Sequence, residues 1–91
     1  MRTCNMTKIK DFIRANNLSF EEGCRNTTVV TLVGYAQHLG MTQKKLELEL
    51  EDEISDDDFI ETEIQRLWKY CMAKKYKNFW STPEAKAKYT F

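Results

Sequence analysis

From Leu18 to Leu39 the chain reads Leu-Ser-Phe-Glu-Glu-Gly-Cys-Arg-Asn and then Thr-Thr-Val-Val-Thr-Leu-Val-Gly-Tyr-Ala-Gln-His-Leu. A compact polar turn thus runs directly into an apolar segment. Val29, Leu32, Val33, Ala36 and Leu39 recur at spacings of three and four, which puts them on one side of a helix lying against a core. Gly23 lacks a Cβ and can hold a positive φ where the turn reverses. Asn26 or Thr27 is expected to cap the helix by accepting from one of its free amides. Gly40 is expected to close it as the C′ residue. The segment therefore predicts the central and most buried helix, with the remaining elements packed around it.

Three glycines and one proline in 91 residues supply little turn material for a many-stranded sheet. The expectation is all-α, a small bundle of four to five helices, in a single domain spanning 1–91 with flexible ends at about 1–6 and 81–91. A chain of this size buries only about 60–65% of its unfolded surface, so the core is small. A hydrophobic fraction of 42% still supports a globular fold over disorder. Cys4, Cys24 and Cys71 are an odd number without paired spacing, and read as reduced thiols of a cytoplasmic protein. No apolar signal segment follows Met1, and no apolar run reaches the roughly 20 residues a membrane span needs.

Helix signals continue along the chain. Thr7 to Asn16 is amphipathic, with Ile9, Phe12 and Ile13 on one face and Asn16-Asn17 as a stop. Ser19 and Glu22 have the spacing of a capping box, which predicts a helical turn over Phe20 to Cys24. The central helix is expected from about Thr28 to Leu39. Thr42 is placed to cap a third helix in which Leu46, Leu50 and Ile54 fall four apart. Leu46, Leu48 and Leu50 also alternate with glutamates as in a strand, but Glu and Leu are good helix formers and poor strand formers. Ser55-Asp56-Asp57-Asp58 is a strong helix start, with a capping hydroxyl and carboxylates at the positive end of the dipole. Phe59, Ile60, Ile64, Leu67, Trp68, Cys71 and Met72 then form an apolar stripe expected to reach about Lys77. Pro83 is placed to open a last short helix of Glu84 to Lys88; the alternative is a tail that frays.

Little in this chain assembles a catalytic site, and a non-enzymatic domain is expected. The single histidine, His38, falls on the polar side of the central helix, and Cys71 falls in the apolar stripe. Cys24 beside Arg25 is the thiol better placed for activation, but no base is positioned with it. The carboxylates of 47–58 lack the ligand spacing and mid-loop glycine of a calcium loop, and no Gly-rich phosphate loop is present.

Charge is strongly segregated although the total is zero. Residues 1–43 carry a balance of +2, residues 44–64 carry −8, and residues 65–91 carry +6. Two features follow. The segment Leu32 to Leu50 scans as a helix-turn-helix, with Ala36, Gly40, Met41, Thr42 and Leu46 at the positions that motif needs. Gln43, Lys44 and Lys45 suit a DNA groove, whereas the glutamates after them would be repelled by phosphates. The other feature is the basic, aromatic end: Arg66, Lys69, Tyr70, Lys74, Lys75, Tyr76, Lys77, Phe79, Trp80, Lys86, Lys88 and Tyr89. Its cations can follow a phosphate backbone while exposed aromatics stack on unpaired bases. Alternatively, Phe79 and Trp80 fold back as core and the lysines keep the helix soluble.

Phe20-x-x-Gly23-x-Arg25-Asn26, the apolar helix ending in Leu39-Gly40-Met41, Leu46-x-x-Glu49-Leu50, Phe59, and Glu61-x-Glu63-Ile64 before a basic, Tyr-containing helix form a pattern over residues 18 to about 77. The pattern resembles the C-terminal helical domain of plasmid and phage primases and the related segment of virulence-associated-E-like proteins of mobile elements. The resemblance implies an all-α bundle that engages single-stranded or template DNA beside a primase or helicase module. Gly23, Arg25 and Asn26 are the positions that carry over. The expected nucleic-acid contacts are Arg25, Asn26, Arg66, Lys69, Lys74, Lys75, Tyr76, Lys77 and Trp80, with no cofactor and no metal. Two alternatives stand beside this reading: a phage helix-turn-helix protein of packaging or regulation that binds duplex DNA, and an interaction module or inhibitor whose acidic 47–58 face meets a basic protein.

Overall fold

The computed structural model describes residues 4–21, 23–54 and 57–90, and of residues 4–8 and 57 the backbone alone. The fold is all-α, and among the described residues there is no strand. Among the described residues six helices follow in order: α1 (Cys4–Ala15), α2 (Arg25–Leu39), α3 (Gln43–Glu51), α4 (Asp57–Lys74), α5 (Tyr76–Phe79) and α6 (Pro83–Lys88). Four are full helices, and the last two are short ones that fix the end of the chain.

The stops of α1 and α2 lie where the sequence puts them. Asn17 takes a left-handed φ of 53°. The Leu18 amide donates to the Ile13 carbonyl at 3.1 Å and the Asn17 amide to that of Arg14 at 3.3 Å. This pair of bonds satisfies carbonyls that the helix end would otherwise orphan. α2 ends in the same way: Gly40 has φ 83°, Met41 N–H reaches the Ala36 carbonyl at 2.9 Å, and Gly40 N–H reaches that of Gln37 at 3.1 Å. Met41 is buried against the turn it closes.

The start of α2 differs from expectation. The helix begins at Arg25, and neither Asn26 nor Thr27 caps it. Cys24 occupies the N-cap without a side-chain hydrogen bond. The start is held from outside instead. Thr28 Oγ1 donates to the Ser19 carbonyl at 2.5 Å, and the Arg25 guanidinium lies 3.9 Å from the centroid of the Phe59 ring at the beginning of α4. The turn before it closes through Cys24 N–H to the Glu21 carbonyl at 2.9 Å, with Gly23 at φ 101°. Ser19 Oγ accepts from Glu21 N–H at 3.2 Å, while the Glu22 half of the expected capping box lies outside the described residues.

α3 is a helix rather than a strand, capped by Thr42 Oγ1 accepting from Lys45 N–H at 3.2 Å. Leu46, Leu50 and Ile54 are buried and Leu48 is 51% exposed, as a helical period requires. Glu49 is only 1% exposed, and neither of its carboxylate oxygens finds a hydrogen-bond partner among the described residues. Nearby, Lys10 of α1 reaches Asp52, just past the end of α3, at 2.8 Å.

In α4 the buried stripe is Ile60, Ile64, Leu67 and Cys71, the 4-3-4 spacing of the sequence. Met72, expected on that stripe, is 60% exposed, because one further residue rotates the side chain by about 100°. The expected cap at Ser55 and Asp56 lies outside the described residues. α4 also stops at Lys74 rather than Lys77. Lys75 adopts φ 59°, and this left-handed residue turns the chain so that α5 drops onto α2. The approach is close at Gly34: a Cβ there would stand 2.9 Å from Trp80 Nε1 and 3.2 Å from Tyr76 Cβ.

Trp80, expected among the nucleic-acid contacts, is 3% exposed and belongs to the core. Its ring lies 5.2 Å from that of Tyr35, 5.5 Å from Phe12 and 4.8 Å from Tyr89. Phe12 and Tyr35 stack at 4.1 Å. Burying an indole in such a cluster is worth far more than leaving it in water. Tyr89 of this cluster lies in the segment 81–91 expected to be a flexible end. Thr82 Oγ1 caps α6 by accepting from Ala85 N–H at 3.3 Å, Ala85 is buried, and Asn16 exchanges two hydrogen bonds of 2.9 Å with the backbone of Thr90. Of the other flexible end, residues 1–3 lie outside the described residues, and α1 is already formed at Cys4.

Candidate nucleic-acid interface

The C-terminal half of α4 presents a continuous outer face because positions 62, 65, 66, 69, 70 and 74 are three or four residues apart. Thr62, Gln65, Arg66, Lys69 and Tyr70 line one shallow open surface. Tyr70, 43% exposed, is the aromatic within it. Lys74 Nζ lies 5.8 Å from the Tyr70 centroid, and the Tyr76 ring meets that of Tyr70 edge-on at 5.9 Å. Lys75 and Lys77 follow at the left-handed break and line a separate cleft with Gln37, Met41, Trp68 and Met72.

Residues 64–83 contain five cations and no carboxylate. Arg66, Lys69, Lys74, Lys75 and Lys77 are all exposed. Of these five cations only Arg66 is paired with an acid among the described residues, Glu63 one turn earlier; that pairing raises the guanidinium pKa through the hydrogen bond first and the charge second. The lysine ammoniums are thus accompanied mainly by solvent, which allows counterion exchange with a polyanion.

The expected site residues fall into several groups. Arg66 and Lys69 share one surface with Tyr70, which Lys74 and the half-buried Tyr76 also approach, while Lys75 and Lys77 line a separate cleft. Arg25 and Asn26 sit at the start of α2 with Gly23, Phe59 and Glu63 around a small cavity, and Arg25 there serves to hold α2 against α4. Trp80 is in the core. Tyr70 was part of the basic, aromatic end but not among the expected contacts, although its spacing of four from both Arg66 and Lys74 places it on their face.

Two other reactive groups, Cys71 and His38, make structural contacts. Cys71 is fully buried with Sγ 3.7 Å from the Val30 carbonyl, and burial pushes its thiol up to about 11. Cys24 is exposed at the N-cap of α2. His38 is exposed, and its Nδ1 stands 3.1 Å from the Lys77 carbonyl, so a proton on Nδ1 ties α5 to the end of α2. Among the described residues no group of three or more His, Cys, Asp or Glu could hold a metal ion. No described helix is long and apolar enough to cross a membrane.

No protein-family model matches the chain, and no curated protein or solved structure matches it either.

Proposed function

We propose that this domain is a non-enzymatic binder of single-stranded nucleic acid, with the outer face of α4 and α5 as its contact surface. The observation that carries the reading is the run of five exposed cations over residues 64–83, uninterrupted by any carboxylate and interleaved with Tyr70. Such a surface supplies phosphate contacts through its lysines and a stacking platform through the tyrosine. The narrower reading is a cytoplasmic domain acting on template DNA beside a primase or helicase of a phage or mobile element. Its support is the resemblance over residues 18–77.

The test is binding of a labelled 12-nucleotide single strand, and of a duplex of equal length, at low salt. The single strand is expected to bind better, and Lys74→Glu/Lys77→Glu to weaken it by about tenfold or more. Equal affinity of the double variant and the unaltered chain would rule the α4–α5 face out.

Duplex reading through α2 and α3 is less well supported. The two helices do meet through the Gly40 turn, but α3 shares an open groove with α4 in which Glu47, Glu51 and Glu61 gather. That groove instead favours the alternative of a basic protein partner, which predicts a salt-sensitive protein complex and loss of it on Glu47→Lys/Glu51→Lys.

A further inference from the structure

Beside the cationic face, where the end of α2 meets the α4–α5 junction, lies a cleft of about 210 Å³ lined by Gln37, Met41, Trp68, Met72, Lys75 and Lys77. With Gly40, these residues bring an indole, two thioethers and two lysines to the cleft, and no carboxylate lines it. The Gln37 amide is held in one orientation, with Nε2 donating to the Trp68 carbonyl at 3.0 Å. Its other end, Oε1, is a buried acceptor without a hydrogen-bond partner among the described residues. Lys75 is the left-handed residue that interrupts α4. Backbone of this kind costs on the order of 1 kcal/mol and persists where the surroundings enforce it, often at binding sites.

We propose that this cleft takes one unpaired base bearing an exocyclic amino group, from a strand whose phosphates lie on Lys75 and Lys77. The inference rests on the single-strand reading above and adds a base preference to it. The flat indole and the polarisable methionines suit a planar ring, and the volume, under the roughly 300 Å³ typical of small-molecule sites, suits one ring system rather than a whole cofactor. The two lysines select a ligand that carries anionic charge. Gln37 Oε1 can only accept, so it pairs with the amino group of cytosine, adenine or guanine and opposes the carbonyl that thymine presents at the same place. The oxygen has no exposed surface in the unliganded chain, so the base reaches it only as side chains lining the cleft move aside.

The experiment compares three labelled 12-mers at pH 7.5 and low salt with the full chain: oligo(dC), oligo(dT) and an abasic deoxyribose-phosphate strand. Oligo(dC) is expected to bind roughly three- to tenfold more tightly than oligo(dT), the range of one neutral hydrogen bond, and to quench the combined emission of Trp68 and the core Trp80 in part, where the abasic strand does not. Gln37→Met, which keeps the volume and removes the acceptor, is expected to abolish the difference between dC and dT while its affinity for the abasic strand is unchanged. The quenching comparison needs no variant and so does not depend on whether Gln37→Met folds. Equal binding of all three strands would overturn the cleft and leave the α4–α5 reading standing. Binding of none would overturn both. Free cytidine monophosphate quenching that emission while oligo(dC) does not would overturn the strand as its source.

Discussion

Two residues test the account of the core directly. Glu49 is buried without a hydrogen-bond partner among the described residues, and burial raises its pKa, partly offset by Lys10 and Lys45 and reinforced by Asp52. An acid whose folded pKa is raised stays protonated longer in the fold than in the unfolded chain. The fold therefore loses stability as pH rises from the unfolded value, about 4.3, through the folded one, and carries the whole penalty above it. Glu49→Gln, which keeps the shape and removes the charge, is expected to raise stability at pH 7. In urea unfolding that gain should shrink towards zero below about pH 4; a gain constant with pH would contradict it. Gly34 is the second. Glycine to alanine within a helix normally stabilises by about 0.5–1 kcal/mol, yet the added methyl would meet Tyr76 and the buried Trp80. Gly34→Ala is expected to destabilise by about 1–2 kcal/mol, as overpacking does, and a rise in the urea midpoint would show that α5 does not lie on α2 as described.

At the scale of elements, the break between α4 and α5 is the feature least visible in sequence. Residues Arg66 to Lys77 contain neither glycine nor proline, and local propensity runs through Lys75 without interruption. The break is imposed by tertiary packing: Trp80 reaches the Phe12, Tyr35 and Tyr89 rings only if the chain turns there. Lys75→Gly is expected to be more stable than Lys75→Val by about 1–2 kcal/mol, since a left-handed residue penalises a β-branched side chain most. Equal midpoints for the two would mean that residue 75 is not left-handed in solution. The ends carrying their own chemistry were legible. Asn17, Gly40, Thr42 and Pro83 each mark a boundary through a local rule, whereas the α2 start was misread because its support, Ser19 and Phe59, comes from other parts of the chain.

For the whole molecule, segregated charge was legible in sequence and persists in the fold as an acidic α3–α4 groove and a cationic α4–α5 face. Which members of the basic end share that face was only partly legible. Helical spacing placed Arg66, Lys69 and Lys74 there, but Trp80 could not be told from an exposed stacking residue until its aromatic partners were known. Gln37 carried no signal in sequence, because its role depends on a bond to Trp68 on another helix. The central claim, that this face binds single strands through its phosphates, is tested most directly by the dependence of affinity on salt. Fluorescence anisotropy of a labelled 12-nucleotide single strand, titrated from about 50 to 200 mM salt, should give log K against log salt with a slope of about −3. That slope is 0.7 for each of four to five phosphates neutralised, and Lys74→Glu/Lys77→Glu should make it shallower by at least about 1.4. Absence of binding at the lowest salt, or a slope near zero, would contradict the claim.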